Sequence, residues 1–481
     1  MTIKKTNATL SLTSEEMKNY GYRIVDLLVD HFVELPNKKP VAIATAKEMD
    51  SLLEETISEN PTDAAEVVDF VMKNVLSNCD LLQHPRFYSY CPSPNNFIST
   101  MADSLATGFN VFSGAWVTSP GATDLEIICI NWLLKIFGLP IKEGGGFFTS
   151  GGSMANMTGI VVARNVKCGE HTSNAVLYLS DQAHSSNSKA AKILGLRIDQ
   201  IRIIPTESDF TINLESLVKA IRKDREEGRF PFCVVATAGT TNTGAVDNLV
   251  AIADLCDNEN VWLHVDAAYG GAAILSRKKY KLEGIERANS IAVDPHKWFF
   301  QPYEIGCVLI RDHEWLSSTF SVNPEYLHDI NTDAGEVNFS NQGIQLTRRF
   351  RALKFYMSLK TFGLSSFRAA VDKGIDLAEK TESYLLRRSD WEIVAKAELA
   401  VINYRFNPLD KKLDEKELDK LNKFLSKSII SSREAMLATT RLKNKTVLRM
   451  CLINPRASMC DVEDTIQLLE GFAVNYFSTI D

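Results

Sequence analysis

From about residue 144 to 312, short apolar β-rich runs alternate with helix-like segments, and this alternation constrains the chain more than any other feature. The runs are AVLYLS, IRIIP, FCVVATAG, VWLHVDAAY, SIAVDPHK and GCVLIRD, with SSNSKAAKILG and NLVAIADLCD between them. A strand that is apolar along its whole length has no face for water. It belongs in a mostly parallel sheet covered on both sides, which predicts an α/β layered domain. Such sheets gather ligands at the carboxyl ends of their strands, and the small, polar and ionisable residues of this region cluster there.

The flanks read differently. Thr13-x-x-Glu16 fits a capping box, and Tyr20, Ile24, Leu27, Leu28 and His31 follow at helical spacing until Pro36. A second amphipathic stretch, AAEVVDFVMKNVL, follows Pro61. Neither has an evident partner nearby, and a second copy of the chain is a natural one. After Arg351 come two long helical patterns, RALKFYMSLKTFG and SFRAAVDKGIDLAEKTESYLLRR, and then short strands (WEIV, LAVINYRF, TVLRMCLI) alternating with helices. The 481 residues exceed what one core usually holds. The expected parts are a helical dimerisation segment at 1–80, a large domain at 81–375 and a small α+β domain at 376–481. The polar stretch 328–343 reads as a long loop, either a lid or a surface turn.

Charge and cysteine usage exclude several functions. The net charge is −7 with no dense Lys/Arg block, which argues against nucleic acid or an anionic membrane as partner. The N-terminus lacks the apolar run of a signal peptide, and IICINWLLKIFGLP is too short to span a bilayer, so the expected location is the cytoplasm. Nine scattered cysteines without a C-x-x-C pair, and eight histidines without a metal-binding spacing, predict reduced thiols and no protein-held metal.

Several residues at strand ends carry candidate chemistry. Lys297, at the end of SIAVDPHK and followed by three aromatics, would be costly to bury charged; desolvation lowers a lysine's pKa and favours covalent chemistry at its nitrogen. It could equally be an amphipathic lysine whose head reaches solvent. Asp266 ends VWLHVD, where it could pair with a protonated ring nitrogen or simply cap a turn. Thr149-Ser150-Gly151-Gly152-Ser153 precedes a helix and could bind a phosphate on backbone amides, although Gly/Ser turns are common. His184 follows AVLYLS and could stack on a planar ring or be structural. Thr241, in ATAGTTNTG, could bond a cofactor or cap a helix.

Taken in order, TSGGSMANM, SDQAHSS, ATAGTTNTGAVDN, LHVDAAYGG and DPHKWFFQPYE closely resemble the group II pyridoxal-phosphate decarboxylases, with likeness running from HPRFYSY to LRMCLINPRAS. The resemblance implies fold type I of the pyridoxal-phosphate enzymes, the aspartate aminotransferase-like fold. It also implies an obligate homodimer with composite active sites and N-terminal helices swapped onto the partner. By it, Lys297 bonds the cofactor, Asp266 pairs with the ring nitrogen, and His184 stacks on the ring. Gly152, Ser153 and His296 hold the phosphate, and Thr241 and Ala268 lie close to the cofactor. Tyr326, in NPEYLHD, corresponds to the tyrosine that protonates the substrate carbon once carbon dioxide has left. Relatives with phenylalanine there form an aldehyde instead. Tyr326 and His184 therefore favour an amine product.

The resemblance places Tyr90, Cys91, Pro92, Ser93, Phe112 and Gly114 in the substrate pocket, the last contributed by the neighbouring subunit. Cys91 and Gly114 stand where phenylalanine is usual, which suggests a wider pocket. Asp294 stands where animal relatives carry Asn, and beside a phosphate it needs to face away or to find a compensating group. Phe87, Tyr88, Tyr90, Phe112 and Trp116 favour an aromatic amino acid over glutamate, for which Arg86 is the candidate cation. The expected reaction is decarboxylation of tyrosine, DOPA, phenylalanine, tryptophan or 5-hydroxytryptophan. Aldehyde synthesis and glutamate decarboxylation are the alternatives.

Overall fold

The computed structural model describes residues 10–322 and 335–478. Its contacts divide the chain into two compact units, one drawn from Met1–Ser89, Leu413–Leu448 and Arg456–Asp481, the other from Tyr90–Lys412 and Arg449–Pro455.

In the first unit, helix α1 (Ser14–Glu34) begins with the expected capping box, Thr13 bonding the Glu16 amide and Glu16 bonding back to Thr13. Pro36 ends it in a short 3-10 turn. Helix α2 (Ala46–Leu53) carries a second capping box, Thr45 with Glu48, and α3 (Ala64–Phe70) starts on Asp63 and runs into a π turn at Val71–Val75. The unit's core comes from two later helices. Glu415–Ser431 buries Leu418, Leu421, Leu425 and Ile429, and Met459–Ser478 buries Val462, Ile466 and Leu469. By contrast α1 buries none of its residues, and Met17, Tyr22 and Val33 stand exposed.

The second unit is built on seven strands: β1 (Gly145–Thr149), β2 (Ala175–Ser180), β3 (Ile201–Ile204), β4 (Phe230–Thr237), β5 (Trp262–Asp266), β6 (Ser290–Val293) and β7 (Gly306–Ile310). Their order is β1-β7-β6-β5-β4-β2-β3. Only β7 runs against its neighbours, pairing antiparallel with both β1 and β6. A parallel return needs a crossover, normally helical. The Asp294–Ile305 connection from β6 to β7 has none, so β7 must run backwards. β1, formed by GGFFT, was not among the strands expected from sequence.

Helices α4 (Phe97–Gly108), α5 (Pro120–Phe137), α6 (Gly152–Cys168), α7 (Ser185–Ile193), α8 (Leu214–Glu226), α9 (Leu249–Asn258), α10 (Glu314–Phe320) and α11 (Ala352–Leu386) complete this unit. Strands β8 (Trp391–Glu398) and β9 (Val401–Phe406) pair antiparallel beyond them. Two apolar clusters cover the central sheet. One holds Phe137, Val234, Val265, Ile291 and Leu309; the other holds Ala155, Leu177, Val235, Ala292 and Val308. Alternate residues of one strand thus serve opposite faces, as in a fully covered sheet. The two long helical patterns after Arg351 merge into α11, broken where Gly363 adopts φ +71°. No described helix is long and apolar enough to cross a membrane.

Candidate active site

The carboxyl ends of the central strands converge with the start of α6. β1 ends at Thr149, whose hydroxyl donates to the Gly151 carbonyl at 3.0 Å and shapes the turn into α6. That helix has Gly151 as N-cap with no side-chain cap, and its first turn holds no acidic residue. Its amino end therefore offers backbone N–H groups and a positive dipole to an anion. Gly152 is needed because a Cβ there would sit 2.6 Å from Asp294 Oδ2 and 3.0 Å from the Ala268 methyl group. Ser153 beside it is exposed.

Asp266 ends β5 and is almost fully buried. Its Oδ2 accepts from two buried side-chain amides, Asn156 Nδ2 at 2.9 Å and Asn187 Nδ2 at 2.8 Å, and its Oδ1 accepts from the Ala268 amide at 3.2 Å. Three donors on one carboxylate fix its plane. His184 follows β2 and caps α7. Its Nδ1 accepts from the Ser186 amide at 3.3 Å and lies 2.8 Å from the Ser186 hydroxyl. Nδ1 thus carries no hydrogen and the ring proton sits on Nε2. Burial lowers the pKa of His184, only partly offset by Asp266, and keeps the ring neutral.

Lys297 lies in the connection after β6, with its Nζ 2.9 Å from Asp294 Oδ2. Burial alone would lower its pKa, as expected from sequence. The Asp294 carboxylate, with smaller contributions from Cys91 and Asp266, outweighs burial and holds the ammonium above the ordinary lysine range. The same contact supplies the compensating group that Asp294 lacked in the sequence. Asp294 Oδ1, buried, has no hydrogen-bond partner among the described residues. His296 gives its Nδ1 proton to the Ile305 carbonyl at 2.7 Å, and its Nε2 lies 3.7 Å from Asp294 Oδ2. Burial lowers its pKa.

Arg449 braces two of the site's loops. Its guanidinium donates to the carbonyls of Tyr90 at 2.5 Å and Thr241 at 2.8 Å. Tyr90 is largely exposed and adopts φ +55°. Cys91 follows it, half-buried, with Cys451 nearby; the Cys451 thiol itself points to the Tyr269 hydroxyl at 3.8 Å. The Cys451 side chain, with Lys297 and Arg449, pulls the Cys91 thiol down to about 6 against the effect of burial. Burial instead drives Cys451 upward. Pro92 and Ser93 are buried, and the Ser93 hydroxyl donates to the His296 carbonyl at 2.6 Å, tying this segment to the Lys297 loop.

Phe112 and Gly114 belong to a separate cluster. The Gly114 carbonyl accepts from the Ser340 amide at 2.9 Å, and Trp116 donates its amide to Asn338 Oδ1 at 2.8 Å. A Cβ on Gly114 would meet Phe112 Cζ at 2.5 Å and the Leu346 carbonyl at 2.6 Å, so Phe112 fills the space that a larger residue would need. Arg348 pins the cluster. Buried, it pairs with Glu126 at 2.5 Å, donates to the carbonyls of Ser113 and Phe148, and lies over the Phe339 ring. The described part of the expected long loop is thus firmly held. Tyr326 lies outside the described residues.

The segment just before Tyr90 supplies Phe87 and Tyr88. They are core residues of the first unit, Phe87 bridged to Met436 and the Tyr88 hydroxyl 3.4 Å from that of Thr465. Arg86 is likewise engaged there, 3.5 Å from Glu434. Sequence reasoning missed Asn156, Asn187, His264, Ser290 and Arg449. Two of these carried a usable signal, since Asn156 lies one helical turn after Gly152 and Asn187 three residues after His184.

Residues 46–407 match the family model described as the pyridoxal-dependent decarboxylase conserved domain. An aromatic-L-amino-acid decarboxylase of Bacillus atrophaeus is 46% identical over 462 residues, covering 96% of this chain and 95% of that protein. A phenylacetaldehyde synthase of Arabidopsis thaliana is 30% identical, covering 95% and 96%. Among solved structures, Catharanthus roseus tryptophan decarboxylase in complex with L-tryptophan superposes with a TM-score of 0.90 at 26% identity, covering 97% of this chain and 100% of that one.

Proposed function

The chain belongs to the pyridoxal-dependent decarboxylase family and is a pyridoxal phosphate-dependent carboxy-lyase, and from that premise we propose that it converts aromatic L-amino acids to the corresponding amines and carbon dioxide. The observation that carries the substrate class is the 46% identity, over almost the whole chain, to a protein named for that activity. The engagement of Arg86 by Glu434 supports it too, because a glutamate side chain would need a free cation.

The residues present fit the cofactor. The uncapped start of α6 with Gly152 and Ser153 suits its phosphate, together with His296. Lys297 supplies the bonding nitrogen, Asp266 the partner for the ring nitrogen, and His184, Thr241 and Ala268 the ring's surroundings. Bound pyridoxal phosphate supplies an electron sink for the carbon that loses its carboxylate. The protein's work is to orient that bond and to manage protons. Lys297 would bond the cofactor through its neutral nitrogen, and Asp294 Oδ2, 2.9 Å away, orients that nitrogen while it is charged. His184, neutral and protonated on Nε2, has a donor for a substrate oxygen. Tyr326 is assigned as the general acid that returns a proton to the α-carbon.

A second copy of the chain completes this reading. The bare apolar residues of α1 support a homodimer in which that helix is covered, with active sites built from both copies. Nine cysteines without a disulfide support a reducing, cytoplasmic setting. The resemblance to a phenylacetaldehyde synthase keeps aldehyde formation as the second reading, which Tyr326 disfavours. The test is to offer the cofactor-loaded protein twenty amino acids plus DOPA, measuring carbon dioxide, amine, ammonia and peroxide. Amine equal to carbon dioxide from aromatic substrates is expected; stoichiometric peroxide and ammonia, or turnover of glutamate alone, would overturn the proposal.

A further inference from the structure

Behind Asp266 and His184 runs a line of buried hydrogen bonds whose donor direction can be worked out group by group. A carboxylate oxygen accepts only, so Asn156, at 2.9 Å from Asp266 Oδ2, must present its NH2 there, and the same group reaches the Ser186 hydroxyl at 3.0 Å. Its carbonyl oxygen, left as an acceptor, lies 2.9 Å from His264 Nε2. His264 must therefore carry its proton on Nε2, and its Nδ1 must accept from the Ser290 hydroxyl at 2.8 Å. Ser290 is free to donate because its oxygen receives the indole N–H of Trp262, a group that can only donate, also at 2.8 Å. At the other end, the Ser186 oxygen receives Asn156, so its hydroxyl proton goes to His184 Nδ1, which the Ser186 amide also faces.

We propose that Trp262, Ser290, His264 and Asn156 form a one-directional hydrogen-bond relay that fixes the Asn156 amide and so couples the Asp266 carboxylate to the His184 tautomer. Ser290 and His264 are positioning residues that act through Asn156 and meet no substrate themselves. The fold has made room for the relay: a Cβ on Gly159 of α6 would stand 2.5 Å from His264 Nδ1, so only glycine lets the helix lie against that ring. His264 is wholly buried, and burial lowers its pKa to about 4, which keeps it in the neutral form the relay requires. A charged imidazolium would have no acceptor left for Ser290 and would reverse one link. Asn187 supplies Asp266 Oδ2 with its second donor from outside the relay.

The consequence for catalysis rests on the proposed cofactor placement, whereas the tautomers do not, so the two are tested separately. Histidine-labelled ¹⁵N NMR of the cofactor-free protein should show His264 and His184 both protonated on Nε2. A δ1-protonated ring at either position overturns the relay whatever the enzyme's substrate. Ser290→Ala removes the hydroxyl that orients His264. It should leave His264 protonated on Nε2 through Asn156 but shift its Nδ1 resonance, with release of pyridoxal phosphate faster by on the order of tenfold and a lower kcat with KM changed by less than about twofold. A wild-type His264 Nδ1 resonance and release rate in Ser290→Ala would show that the line is packing alone. If that variant fails to fold, the wild-type tautomers decide.

Discussion

Asp294 Oδ2 stands 2.9 Å from Lys297 Nζ, and this contact contributes most to overcoming the effect of burial on the lysine. Asp294→Asn keeps the shape and removes the charge. With the largest opposing contribution gone, burial should dominate and the Lys297 pKa should fall. In the cofactor-free variant, the pH at which Lys297 becomes reactive toward an amine-directed reagent should move down relative to wild type. An unchanged profile would mean that the contact does not govern the lysine.

Cys91 should be the most readily alkylated of the nine cysteines. The neighbouring Cys451, Lys297 and Arg449 side chains pull it to about 6, so its thiolate is already populated at neutral pH, whereas Cys129 and Cys256 are held protonated by burial. Peptide mapping after brief iodoacetamide treatment of the cofactor-free protein at pH 7 checks this. Modification spread over several cysteines, or none at Cys91 until alkaline pH, would count against it. Cys451→Ala should raise the pH midpoint.

The Glu126–Arg348 pair is buried on both sides. Replacing Glu126 with Leu would strand the guanidinium and orphan the Phe148 amide, which Glu126 accepts at 2.8 Å. The expected cost is about 3–5 kcal/mol in stability, measured by denaturant unfolding of the cofactor-free protein. The double replacement Glu126→Leu with Arg348→Met should recover much of that loss, because no lone charge remains. A single variant as stable as wild type would show that the pair matters little.

How much of this was legible beforehand depended on the kind of signal. The strands AVLYLS and VWLHVD announced themselves because a doubly covered strand is apolar throughout, and Thr13 and Glu16 announced α1 because capping is local chemistry. β1 was missed: GGFFT is short and glycine-led, and its place beside β7 depends on pairing far along the chain. At the site, Lys297, Asp266 and His184 were visible as ionisable groups at strand ends. Asn156, His264 and Ser290 were not, because a neutral amide, a mid-strand histidine and a serine acquire meaning only when three distant segments close on one another. The burial of Phe87 and Tyr88 in the first unit was hidden for a related reason, since sequence adjacency to Tyr90 and Cys91 does not decide which core a side chain enters.

The most direct test of the account is covalent. Borohydride reduction of the cofactor-loaded protein locks the lysine–cofactor bond, and mass mapping of the digested chain then locates it. The prediction is one pyridoxyl group, on Lys297, with loss of that label, of visible absorbance and of carbon dioxide release in Lys297→Ala. A label on another lysine, such as the buried Lys354, or a Lys297→Ala variant that still releases carbon dioxide at the wild-type rate, would contradict it.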